Sequence, residues 1–92
     1  MIKTFKDKET ESLYNSGHSR KYKSFERIAL RKLDMIHAAI VLDDLKVPPG
    51  NRLESLHGDR EGQYSIRISD QFRICFIWDS GYAYSIEIVD YQ

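Results

Sequence analysis

Between Tyr64 and Val89 the large apolar side chains fall on every second residue in three successive runs. Ile66 and Ile68 alternate with Ser65, Arg67 and Ser69. Phe72, Ile74, Phe76 and Trp78 alternate with Arg73, Cys75 and Ile77, and Tyr82, Tyr84, Ile86 and Ile88 alternate with Ala83, Ser85 and Glu87. Successive side chains leave a strand on opposite sides, so a period of two is the pattern of a strand with one buried face. This stretch therefore reads as a hairpin followed by a further antiparallel strand.

The connections set the expected register. An odd loop of Ser69, Asp70 and Gln71 pairs Ile68 with Phe72 and Ile66 with Ile74, whereas a two-residue turn would bring serine and arginine onto the apolar face. Treating Asp79, Ser80 and Gly81 as a second odd loop pairs Trp78 with Tyr82, Phe76 with Tyr84 and Ile74 with Ile86. On the opposite face the same register puts Arg67 directly across from Arg73, with Glu87 across from Arg73 on the far side. Like charges facing each other in a sheet cost roughly 0.2–1 kcal/mol. An anionic ligand would relieve that repulsion; alternatively, Glu87 neutralises Arg73 and Arg67 points into water.

At 92 residues the chain has the length of one small domain, here taken as residues 1–92, with material for a modest core. The single cysteine, Cys75, excludes a disulfide-stapled scaffold. No apolar run approaches membrane-spanning length and Met1-Ile2-Lys3 does not open a signal peptide, so the expected location is the cytoplasm, with no membrane partner. The 14 basic and 14 acidic residues cancel, which argues against a protein that coats nucleic acid non-specifically. They are unevenly divided, however: residues 1–46 carry a surplus of three positive charges and residues 47–92 a surplus of three negative ones. A local basic site remains compatible with that balance.

Upstream of the strands, Met1 to Phe5 is a short strand candidate. Lys8 to Tyr14 form a polar helix that Asp7 could cap and Gly17 could end. His18 to Lys23 is a basic linker in which Arg20, Lys21 and Lys23 surround Tyr22, a composition suited to a nucleic-acid backbone or to an acidic partner. Ser24 is the expected cap of the longest helix, whose stripe of Phe25, Ala29, Leu33, Ile36 and Ile40 should lie on the sheet. That helix is expected to run on to Lys46 and to stop at Pro48-Pro49-Gly50. His37 reads as a helix-surface or core-edge residue. The stretch from Asn51 to Gly62 concentrates polar chemistry in Arg52, Glu54, His57, Asp59, Arg60 and Glu61, with Leu53 and Leu56 as anchors. Three scattered histidines and one cysteine show no metal-ligand spacing, and no cofactor is implied.

Leu56-His57-Gly58-Asp59-Arg60-Glu61-Gly62, the hairpin Tyr64-Ser65-Ile66-Arg67-Ile68 with Phe72-Arg73-Ile74-Cys75-Phe76, and the ending Asp90-Tyr91 together resemble the HigB-type killer toxins of the RelE/ParE superfamily. The opening Met1-Ile2-Lys3-Thr4-Phe5 fits as well, and Pro48-Pro49-Gly50-Asn51-Arg52-Leu53-Glu54 is similar to a subgroup with a proline-rich entry to the sheet. The resemblance implies an α+β, RelE-like fold with two N-terminal helices packed on one face of a mostly antiparallel sheet. It implies a type II toxin that enters the ribosomal A site and cuts messenger RNA. Its partner would be a HigA-type helix-turn-helix antitoxin, through which it would reach operator DNA indirectly.

By the same resemblance Arg73 matches an arginine on the scissile phosphate, Arg67 a basic position supporting RNA binding, and Asp90 and Tyr91 a functional C-terminal pair. Arg52 and Arg60 join Arg67 and Arg73 as RNA-binding candidates. RNA supplies its own nucleophile, the 2′-hydroxyl, so the protein must align it, stabilise negative charge and assist two proton transfers. Arginine suits charge stabilisation because its fork holds phosphate oxygens and stays charged. Glu54 is the candidate base, and His57 or Tyr91 the candidate acid. Many HigB-type toxins have histidine where Glu54 stands, lysine where His57 stands and a terminal histidine where this chain has Gln92, so weakened activity is expected. A ParE-type inhibitor of DNA gyrase and a non-catalytic antitoxin-binding module are the alternatives.

Overall fold

A computed structural model describes residues 1–91, so the expectation attached to Gln92 lies outside the described residues. In chain order the elements are α1 (Lys8–Ser16), α2 (Glu26–Ala38), β1 (Glu54–Ser55), β2 (Gln63–Arg67), β3 (Phe72–Asp79) and β4 (Tyr82–Asp90). Single 3₁₀ turns lie at Lys23–Phe25, Leu42–Lys46, Pro49–Asn51 and Gly58–Arg60. The sheet runs β1-β2-β3-β4 with every neighbouring pair antiparallel. Met1 to Phe5 is not a full strand but lies parallel to β4 through two isolated bridges, Ile2 with Ala83 and Phe5 with Ile86.

The β2–β3 hairpin has the expected register. Ile66 faces Ile74 and Arg67 faces Arg73. The Ile68 and Ser69 amides both donate to the Phe72 carbonyl, and the Ser69 hydroxyl accepts from the Gln71 and Phe72 amides, which closes the odd loop.

The β3–β4 register departs from expectation. Asp79 faces Tyr82, Trp78 faces Ala83 and Ile77 faces Tyr84. The connection is thus a two-residue turn, with Ser80 and Gly81 at φ of 53° and 87°, both positive as the favoured hairpin turn demands. A bulge follows, where Ser85 turns to φ 53° and shifts the pairing between Cys75 and Ile77. Its amide donates instead to Thr4 Oγ1 at 2.7 Å. Beyond the bulge Ile74 faces Ile88 rather than Ile86, Cys75 faces Glu87 and Arg73 faces Val89. Glu87 therefore does not stand across from Arg73.

Helix α1 follows the sequence reading: the Asp7 carboxylate accepts the Thr10 amide at 3.3 Å, and Gly17, at φ 82°, returns its amide to Leu13. It buries Leu13 fully, and the Thr10 hydroxyl accepts the Ile88 amide of β4. Helix α2 is shorter than expected. Ser24 lies within the preceding 3₁₀ turn and does not cap the helix, which starts at Glu26 behind Phe25. It ends at Ala38, well before the prolines, because the Asp44 carboxylate accepts the Ile40 and Val41 amides and draws the chain into a new turn. Ile40 is consequently 79 % exposed and not part of the buried stripe.

Leu13, Ala29, Leu33 and Ile36 from the helices pack on Ile66, Ile74, Phe76, Ile86 and Ile88 of one sheet face. Each fully buried leucine, isoleucine or phenylalanine contributes roughly 1.5–3 kcal/mol. The same layer holds one charged tie. The Asn51 amide nitrogen donates to the Leu45 carbonyl at 3.1 Å and to the Val47 carbonyl at 3.4 Å, while its oxygen accepts from the buried Lys32 ammonium. Burial lowers the Lys32 pKa, with Arg31 adding repulsion. This tie fixes the backbone leading into Arg52 and β1.

Candidate active site

The sheet face turned away from the helices carries Ser65 and Arg67 on β2, Arg73 and Cys75 on β3, and Glu87 on β4. Arg73, only 7 % exposed, is the most tightly held cation of this face. Its Nε donates to Ser65 Oγ at 2.8 Å, and Nη2 donates to the Arg52 carbonyl at 2.6 Å and to the Ser65 carbonyl at 3.4 Å. The Arg52 carbonyl is aimed there by a left-handed backbone, φ 46°, a conformation that costs a non-glycine residue about 1–2 kcal/mol. Among the described residues Nη1 has no hydrogen-bond acceptor. The Nε and Nη2 edge of the fork is thus held by protein groups, while Nη1 is not.

Glu54, on β1 beside Ser65, brings Oε1 to 3.7 Å from Arg73 Nη2 while remaining exposed. From the other side the half-exposed Tyr91 ring stands with its centroid 5.8 Å from Arg73 Cζ. Its amide is pinned to the Gln71 carbonyl at 2.6 Å, and the Asp90 carboxylate accepts from Gln71 Nε2 at 3.0 Å, so the loop of the β2–β3 hairpin holds the C-terminal pair in place. Arg73, Glu54 and Tyr91 are the sequence candidates that the fold brings together.

The remaining candidates are distributed around them. Arg67 points toward the hairpin loop and pairs with Asp70. Arg52 contributes its carbonyl, while its side chain stays exposed. His57 is not brought to Arg73: its side chain is 83 % exposed and faces Glu61 at 3.9 Å. Arg60 Nη1 donates to Glu87 Oε2 at 3.0 Å and to Gln63 Oε1 at 3.1 Å. The Glu87 bond is the main cause that raises the Arg60 pKa. Glu87 therefore neutralises Arg60 and not Arg73.

Three neighbours escaped the sequence reading. Ser65 is the acceptor that orients Arg73, and as one of the alternating polar residues of its strand it carried no sign that set it apart. Lys6 reaches Glu87 Oε2 at 3.2 Å from the N-terminal segment, a contact that depends on the parallel pairing with β4. Cys75 forms a fully buried floor facing Ser65 on one side and Glu87 on the other. Its burial pushes the thiol pKa up despite the nearby Arg60 and Arg73 charges. Among the described residues no group of three or more histidine, cysteine, aspartate or glutamate side chains is placed to hold a metal ion. None of the described helices is long and apolar enough to cross a membrane.

A two-helix layer over a four-stranded antiparallel sheet is the architecture of RelE-like toxins. The YoeB toxin of Staphylococcus aureus superposes with a TM-score of 0.61 at 16 % identity over 99 % of this chain and 94 % of that one. A YoeB–YefM complex from the same organism superposes at 0.58, with 15 % identity over 100 % of this chain and 98 % of that one. The profile of the family described as RelE-like toxin of type II toxin-antitoxin system HigB matches residues 3–92, and the chain belongs to that family. Toxin HigB-1 of Vibrio cholerae is 40 % identical over 85 residues, 90 % of each chain. Endoribonuclease HigB of Proteus vulgaris is 30 % identical over the full length of both. A toxin of a toxin–antitoxin system has an antitoxin as its partner.

Proposed function

We propose that this toxin is an endoribonuclease that cuts messenger RNA in the ribosomal A site and thereby stops translation. The observation that carries the reading is the half-locked Arg73 fork: Nε and Nη2 are spent on Ser65 and Arg52, Glu54 Oε1 lies 3.7 Å from Nη2, and Nη1 has no acceptor among the described residues. A donor preorganised in this way stabilises the charge of a five-coordinate phosphate without reorganising during the reaction. Glu54, next to that fork and open to solvent, takes the proton of the attacking 2′-hydroxyl. Tyr91, on the other side of the guanidinium, returns a proton to the leaving 5′-oxygen. Its proximity to Arg73 favours it over the outlying His57 as the acid. Asp90 holds the C-terminal pair against Gln71, and Arg67, Arg60 and Arg52 flank the path of the strand.

The relative named endoribonuclease HigB supports this chemistry, and the charge distribution supports a ribosomal setting. Arg20, Lys21, Lys23, Arg27 and Arg31 make no ion pair with a carboxylate among the described residues, which leaves a basic strip free for ribosomal RNA. The toxin works in the cytoplasm as one domain, and a HigA-type helix-turn-helix antitoxin silences it and carries it to operator DNA. Activity is weaker than in relatives with histidine at the positions of Glu54 and Gln92.

The test is a defined message in a purified translation system, with and without ribosomes. Ribosome-dependent cuts that leave a 2′,3′-cyclic phosphate are expected. Intact message at toxin concentrations that still arrest growth would overturn the reading and direct the search to gyrase.

A further inference from the structure

Lys6 and Arg60 converge on one oxygen. Glu87 Oε2 lies 3.2 Å from Lys6 Nζ and 3.0 Å from Arg60 Nη1, and the carboxylate is largely sheltered while Lys6 is 56 % exposed. The Lys6 backbone is fixed beside β4 by its amide, which donates to the Ile86 carbonyl at 2.9 Å. An ion pair this exposed contributes little to folding. Its place on the sheet is more informative. Glu87 faces Cys75, and Cys75 faces Ser65, the residue that orients Arg73, so two strand spacings, about 10 Å, separate the Glu87 and Ser65 backbones.

Both cations keep donors in reserve. The Lys6 ammonium has three hydrogens and one carboxylate contact, and no acceptor among the described residues takes Nε or Nη2 of Arg60. Two cations against one carboxylate leave a net positive spot beside Arg73, held in place before any ligand arrives.

We propose that Lys6 is an RNA-phosphate ligand which, with Arg60, forms a second anion subsite for the backbone phosphate next to the scissile one. Glu87 is the residue that positions both cations. The inference rests on the RNA-cutting reading above. Because Glu87 cancels half of the charge, the subsite is weak for a free anion and effective for a phosphate delivered by a strand already gripped at Arg73.

The experiment measures toxin affinity for ribosomes programmed with a message carrying 2′-deoxynucleotides at the cut positions, as a function of monovalent salt, and cleavage kinetics on the unmodified message. Lys6→Gln is expected to raise KM roughly fivefold with kcat little changed, and to lower the slope of log affinity against log salt by about 0.7, one single-strand phosphate contact. Lys6→Arg is expected to restore both. In a Glu87→Ala background the effect of Lys6→Gln should vanish. If wild type binds and cuts while Lys6→Gln keeps its slope and KM, the subsite is overturned and the function stands. A slope change that persists on ribosomes without message assigns the contact to ribosomal RNA and also overturns it. Wild type that neither binds nor cuts overturns both readings.

Discussion

Arg67 and Arg73 face each other across the β2–β3 hairpin, yet the protein treats them as different reagents. Arg73 is buried against a serine hydroxyl and two backbone carbonyls, with one carboxylate just outside hydrogen-bond range. Arg67 is partly exposed and leans on Asp70, an almost fully exposed loop residue. Identical chemistry in identical register becomes a fixed donor in one case and a flexible counter-charge in the other. The repulsion expected between them is relieved because the two guanidinium groups turn to different acceptors.

The largest effect that would break this contrast is at Arg73. Arg73→Ala is expected to lower kcat by about 10³-fold, the upper range for removal of one preorganised donor, and to cost about 1–3 kcal/mol of stability by stranding Ser65. Cleavage assays and denaturant unfolding read the two losses separately. Glu54→Gln follows, with kcat reduced by about 10²-fold and the melting temperature nearly unchanged, since this carboxylate is exposed. Ser65→Ala sharpens the comparison: it removes the acceptor of Arg73 Nε and should cost about tenfold in kcat, the worth of one charge-assisted hydrogen bond. Arg67→Ala should shift KM less than about fivefold and stability by less than about 1 kcal/mol, as for other exposed ion pairs.

The smallest effect concerns the floor of the site. Burial raises the Cys75 pKa above the ordinary value of an exposed thiol, so the folded protein holds this proton longer than the unfolded chain does. Stability from this group is complete below that value and declines as pH rises above it. In urea titrations on the alkaline side, Cys75→Ala should show a shallower loss of stability than wild type.

How far the sequence reached is clearest in the two hairpins. Alternation and the odd loop determined β2–β3 because a one-residue slip would have exposed the isoleucines. The same logic failed for β3–β4 because Ser85 inserts a bulge that no residue preference announces, and Glu87 moved with it from Arg73 to Cys75. Helix α2 ended early because a side chain beyond it, Asp44, captured two amides, a competition that periodicity does not register. At the candidate site, Arg73, Glu54 and Tyr91 were legible as candidates from pattern and resemblance together. Ser65 and Lys6 were not, since one is defined by its reach across a strand pair and the other by a parallel contact between the two ends of the chain.

We assign the scissile phosphate to Arg73 and not to its partner across the hairpin. Wild type, Arg73→Ala and Arg67→Ala should be compared for cleavage of one message on programmed ribosomes, with Arg73→Lys included as a variant that keeps the charge but loses the fork. Cuts that vanish in both Arg73 variants and persist in Arg67→Ala are expected. Cleavage retained by a folded Arg73→Ala, or lost only in Arg67→Ala, would contradict the claim.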